Sequence, residues 1–89
     1  MRAEIIVQGV VQGVGYRFFV LSEAKYFDVR GYVRNMPNGT VEVVAEGTKS
    51  IIEDFIARLR IGPVSAHVTG VNVKWSEKET GYKDFRLQC

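Results

Sequence analysis

Residues 3–27 read AEIIVQGVVQGVGYRFFVLSEAKYF, and three patterns succeed one another within them. In Ala3 to Val10 the apolar Ile5, Ile6, Val7 and Val10 stand around Glu4 and Gln8, which reads as a half-buried strand. Val11-Gln12-Gly13-Val14-Gly15 interrupts it, because two glycines within three residues oppose both helix and strand interiors. From Tyr16 to Phe27 the period becomes helical: Val20, Leu21, Ala24 and Phe27 share one face, and Ser22, Glu23 and Lys25 lie off it. Strand, glycine loop and helix together open a β-α-β unit.

The same unit can be read a second time downstream. Val29, Gly31 and Val33 alternate with Arg30, Tyr32 and Arg34 as far as Asn35, and Met36-Pro37-Asn38-Gly39 carries the Asn-Gly pair of a hairpin turn. The returning strand, Thr40 to Glu46, has Val41, Val43 and Ala45 facing in and Glu42 and Glu46 facing out. Ser50 with Glu53 fits a capping box. Ile52, Phe55, Ile56 and Leu59 then follow at helical spacing until Gly62-Pro63 ends the run. Val68 to Ser76 alternates again, and after a turn at Glu79-Thr80-Gly81 a short strand is expected near Phe85 to Gln88. The order β-α-β-β-α-β plus a terminal strand predicts an α+β, ferredoxin-like sandwich: an antiparallel sheet with two helices on one face. In that fold the first two strands point the same way, so the glycine loop and Asn35 should be neighbours.

Eighty-nine residues with 46% apolar and 25% charged side chains describe one globular domain, residues 1–89, rather than a disordered chain. No apolar run approaches the ~20 residues of a membrane helix, and the first residues lack the pattern of a signal peptide. Cys89 is the only cysteine, so an intrachain disulfide is impossible, and a reducing cytoplasm is the expected compartment. Twelve basic against ten acidic residues leave a net charge of +2, too weak and too dispersed to argue for nucleic acid. No nucleic-acid or membrane partner is expected, and the chain is expected to be a monomer.

Much catalytic chemistry lacks its parts. His67 is the single histidine and lies far from Cys89, so hydrolytic triads and histidine-based metal sites cannot be assembled. The glycine loop is neither a Walker loop nor a dinucleotide fingerprint, since Phe18 stands where the third glycine would be. By itself the loop fits a plain turn as well as an anion cradle of backbone N–H groups. Arg17 decides between them. A cation in the first turn of a helix opposes the dipole at a cost of about 0.3–1 kcal/mol. No acidic residue between Glu4 and Glu23 neutralises it, which makes sense if an anion binds there; the alternative is an arginine reaching out to solvent. Asn35 continues the inward row of Val33 at the same edge; it could cap the strand, or hold a water beside a phosphoryl group.

These residues carry a family resemblance. Val7-Gln8-Gly9-Val10-Val11-Gln12-Gly13-Val14-Gly15-Tyr16-Arg17, followed by Gly31-Tyr32-Val33-Arg34-Asn35, Gly39, Val41 and Gly47, is similar to the acylphosphatase family over essentially the whole chain. The resemblance implies hydrolysis of the carboxyl–phosphate anhydride of small acyl phosphates. It implies phosphate binding by the backbone of Gln12, Gly13, Val14, Gly15 and Tyr16 and by Arg17, with Asn35 orienting the attacking water. Neither cofactor, metal nor phosphoenzyme is expected. One departure stands out: the family usually has Phe or Met where this chain has Tyr16, so the added hydroxyl needs a partner.

Two other readings share the fold. RNA-recognition domains have the same element order, but Arg30-Gly31-Tyr32 starts their aromatic motif and Val33-Arg34-Asn35 fails to complete it. Acylphosphatase-like domains also occur inside larger carbamoyl-transfer and hydrogenase-maturation proteins. A chain that runs from Met1 to Cys89 favours the free-standing enzyme.

Overall fold

Alternating apolar residues on three strands and an apolar stripe on two helices can be buried together only if the helices lie on one face of a sheet. The computed structural model describes residues 1–89 and has this arrangement. Its elements are β1 (Arg2–Val10), α1 (Tyr16–Phe27), β2 (Arg30–Asn35), β3 (Val41–Glu46), α2 (Lys49–Ile61), β4 (His67–Ser76) and β5 (Phe85–Leu87). The strand order is β4-β1-β3-β2-β5. β1 pairs antiparallel with both β3 and β4, and β3 pairs antiparallel with β2. β1 and β2 therefore point the same way, with β3 between them. No helix is long and apolar enough to cross a membrane.

One row of side chains runs across the centre of the sheet. Ala3, Ile5 and Val7 stand opposite Ala45, Val43 and Val41, which in turn stand opposite Gly31, Val33 and Asn35. Ile52, Phe55, Ile56 and Leu59 of α2 and Val20 and Ala24 of α1 close over this row. Full burial of a side chain the size of Ile5, Ile52 or Leu59 contributes about 1.5–3 kcal/mol. Phe27, Phe55 and Phe85 meet edge to face, with ring centroids 6.3 and 6.1 Å apart, so the two helices and β5 share one aromatic contact.

Three expectations need correction. The sheet is mixed, because β5 runs parallel to β2; residues 77–84 carry the chain from the β4 edge across to the far edge, so β5 runs back against β4 but lands beside β2, which already points that way. The capping box does not form. Thr48 is the N-cap, without a side-chain hydrogen bond, and Ser50 already lies inside α2. Glu46, expected to face solvent, is 1% exposed. The crossing segment lies over it, and Glu46 accepts the N–H groups of Thr80 (2.7 Å), Gly81 (2.9 Å) and Tyr82 (3.4 Å), besides Arg2 Nη1 (2.8 Å). Burial alone would raise this carboxyl's pKa, but the N–H donors and the Arg2 guanidinium outweigh it and hold the group below its ordinary value. The rest of the outward row is as read: Glu42 takes Arg34 Nε at 2.7 Å and the Tyr32 hydroxyl at 3.0 Å.

Candidate active site

The loop between β1 and α1 is shaped by Gly13 and Gly15, at φ 74° and 78°, a region that residues with a side chain adopt only under strain. Val11 before it is buried, and Gly15 serves as the N-cap of α1 without a side-chain cap. The N–H groups of Gln12, Gly13, Val14 and Gly15 donate to no acceptor within the chain. Those of the first helical turn have none by the geometry of a helix. That turn holds no acidic residue. A curved run of free donors thus coincides with the positive end of the α1 dipole.

Arg17 lies in this turn, half-buried, and forms no ion pair or hydrogen bond with the protein. Arg2, Arg34, Arg58 and Arg86 each have a carboxylate partner. Asn35 ends β2 opposite Val41, on the helix-facing row of Val33. Its Oδ1 is buried and accepts no hydrogen bond. Buried polar atoms without partners are rare in folded proteins.

Three side chains set the loop in place. Gln12 Nε2 donates to the carbonyls of Met36 and Thr40, both at 2.8 Å, which ties the loop to the β2–β3 hairpin directly after Asn35. The expected proximity of the loop and Asn35 is therefore met. Ser65 Oγ donates to the Val14 carbonyl at 2.7 Å from the turn between α2 and β4. Tyr16, 1% exposed, donates its hydroxyl to the Leu59 carbonyl at 2.8 Å. That carbonyl would ordinarily receive the N–H four residues on, but Pro63 has none. The hydroxyl satisfies the acceptor that proline leaves open, and burial pushes the phenol's pKa well above its ordinary value.

The side-chain roles of Gln12 and Ser65 were not readable in the sequence. Their partners lie 24, 28 and 51 residues away, and no local pattern reports such pairs. His67 is exposed at the start of β4, paired with Val10 just before the loop but without a side-chain bond to it, and Cys89 is exposed at the end of the chain. Two surface clefts lie away from the loop. One is formed by α1 and α2 around Tyr26 and Arg58, another by α1, β2 and β5 around Arg30 and Phe85.

Comparison with known proteins gives a consistent result. The acylphosphatase family model matches residues 3–87. An acylphosphatase of Chlorobaculum tepidum is 46% identical over 86 residues, covering 97% of this chain and 94% of that protein. The crystal structure of acylphosphatase from Bacillus subtilis superposes with a TM-score of 0.97 at 35% identity, covering 99% of this chain and 98% of that one. The structure of Thermococcus kodakarensis HypF is also similar, at a TM-score of 0.86 and 36% identity, but the matching part is only 12% of that chain.

Proposed function

This chain belongs to the acylphosphatase family of acid-anhydride hydrolases, which act on small acyl phosphates, and we propose that it does so by direct in-line attack of water on phosphorus. The observation that carries this reading is the run of unused backbone donors at residues 12–15, leading into the helical turn that holds the unpaired Arg17. Backbone N–H groups of residues 12–16 and the Arg17 guanidinium hold the three phosphoryl oxygens. The Asn35 side-chain amide holds a water and aims its oxygen at phosphorus. The water oxygen forms the new P–O bond as the bond to the acyl oxygen breaks, and the electron pair leaves with the carboxylate.

The spareness of the site suits this chemistry. A carboxylic acid has a pKa near ~4, so the leaving group departs as an anion and needs no general acid. What remains is orientation and the stabilisation of charge on the phosphoryl oxygens, which fixed donors supply. A phosphate oxygen of the substrate takes the proton from water; His67, exposed and paired with Val10 just before the loop, is given no part in this scheme. No metal and no phosphoenzyme take part in this scheme. The two hydroxyls nearest the cradle, those of Tyr16 and Ser65, are both committed to backbone carbonyls. On the open sheet face Tyr32 is held by Glu42 and lies edge-on to Tyr82, 6.0 Å between centroids, which is no platform for stacking a base. The same reading has the chain acting as a monomeric single domain in the cytoplasm, without a nucleic-acid partner.

Hydrolysis of benzoyl phosphate in excess EDTA, by the wild type and by Arg17→Ala and Asn35→Ala, tests the assignment. Fast wild-type turnover, with kcat reduced at least ~100-fold in each folded variant, is expected. Trapped phosphate on the chain after a rapid quench would exclude the direct displacement. Absence of turnover by folded wild type would leave the loop as a phosphate-binding part of a larger assembly, the setting that the HypF likeness suggests.

A further inference from the structure

We propose that the Gln12 side chain is a positioning residue, registering the phosphate cradle against Asn35; the inference rests on the reading of the site above. Both hydrogens of one amide are spent on carbonyls of the same hairpin, Met36 and Thr40, at 2.8 Å each. The hairpin does not need them. The Met36 carbonyl already accepts the Gly39 N–H at 3.1 Å, and the Thr40 carbonyl accepts the Met36 N–H at 2.8 Å. The two bonds from Gln12 are second bonds to acceptors that are satisfied without it. Their effect is to join two loops rather than to close either.

The direction of the remaining anchors gives this joint its importance. Ser65 and Tyr16 both fix the cradle toward the C-terminal end of α2 and the turn after it. Asn35 belongs to the opposite side, one residue before Met36. Only Gln12 ties the loop to that side by a side-chain bond. Without it the cradle keeps its shape and its hold on phosphate, while Asn35 and the water it orients lose their fixed relation to phosphorus. Ground-state phosphate binding then survives and the attack geometry does not. A misplacement of ~1 Å at this point can cost about 100-fold in rate.

The test uses Gln12→Met, which keeps the length of the side chain, and Gln12→Leu, both of which remove the donors without adding charge. For each, kcat and KM for benzoyl phosphate, the inhibition constant of inorganic phosphate and the melting temperature are measured. The expected result is a kcat lower by about 10- to 100-fold, with the phosphate constant within about threefold of wild type. The double variant Gln12→Met/Asn35→Ala should be no slower than Asn35→Ala, because the two side chains act as one unit. Wild-type kcat in Gln12→Met, a parallel loss of phosphate affinity, or additive effects would each overturn the proposal. Should Asn35→Ala turn over too slowly to measure, the Asn35 side-chain amide signals in a 15N spectrum replace the cycle. Inorganic phosphate should shift them in the wild type and not in Gln12→Met, and equal shifts would refute the coupling. Wild-type kcat in Asn35→Ala itself would locate the failure in the assignment of Asn35 rather than in the joint.

Discussion

Tyr16→Phe isolates one hydrogen bond in the structure. The ring is 1% exposed and would pack unchanged, so the perturbation is the hydroxyl alone. Its loss leaves the Leu59 carbonyl without a donor, since position 63 is proline and cannot supply the next helical N–H. A buried acceptor left unsatisfied costs about 1–3 kcal/mol, partly offset because the hydroxyl itself no longer has to be desolvated. A loss of about 2 kcal/mol is expected, and for a domain of this size it lowers the melting temperature by roughly 8–16 °C. Urea unfolding followed through Trp75, the only tryptophan, gives the free energy directly, with an unchanged m-value as the check that only the folded state was altered. A variant as stable as the wild type, within about 0.3 kcal/mol, would refute the account of the proline-orphaned carbonyl. It would place the donor to Leu59 in solvent.

Other outcomes follow from the same geometry. Glu46 has a depressed carboxyl pKa in the folded chain, so its contribution is complete above the unfolded value of about 4.3 and is lost as pH falls through the folded value. Urea midpoints of the wild type should therefore drop below about pH 4, and Glu46→Gln should lack that component of the drop. Tyr16 and Tyr32 behave in the opposite sense: Tyr32 is pushed up to about 12 by burial and by Glu42, and Tyr16 is raised by burial. The unfolded chain releases these protons from about pH 10, so stability should fall as pH rises above that point, with a shallower fall in Tyr16→Phe. Gly9 sits at φ 126° where β1 shifts register, and a Cβ there would lie 2.0 Å from the His67 carbonyl oxygen. Gly9→Ala should cost about 3 kcal/mol or more, and thermal unfolding at wild-type temperature would contradict the contact. If the substrate's own oxygen takes the proton, kcat should show no ionisation of an enzyme base between about pH 5 and 8, and a clear one in that window would sink the scheme.

The elements were legible because their signals are local. Period-two alternation in residues 3–10 and 29–35, the glycines at 13 and 15, and the apolar stripe at Ile52, Phe55, Ile56 and Leu59 each report burial within a few residues of themselves. Asn35 could be placed on the helix-facing row by counting on from Val33, and the lone cation of Arg17 in an acid-free helical turn pointed to an anion. The motif around these residues was enough to suggest the family, which the comparisons then showed.

Other features depended on chain segments meeting from far apart. Glu46 alternates like a solvent-facing residue and is buried only because residues 77–84, which carry no periodicity, cross over it. The parallel pairing of β5 follows from that same crossing: β5 runs back against β4, and the crossing sets it beside β2, which already points that way. Tyr16 and Gln12 found partners 43, 24 and 28 residues away. A side-chain pattern records which face a residue shows to its own neighbourhood. Which acceptor that side chain reaches is set by how the elements pack, and here the packing bonds one end of the phosphate loop to the hairpin after Asn35 and the other to the C-terminal end of α2.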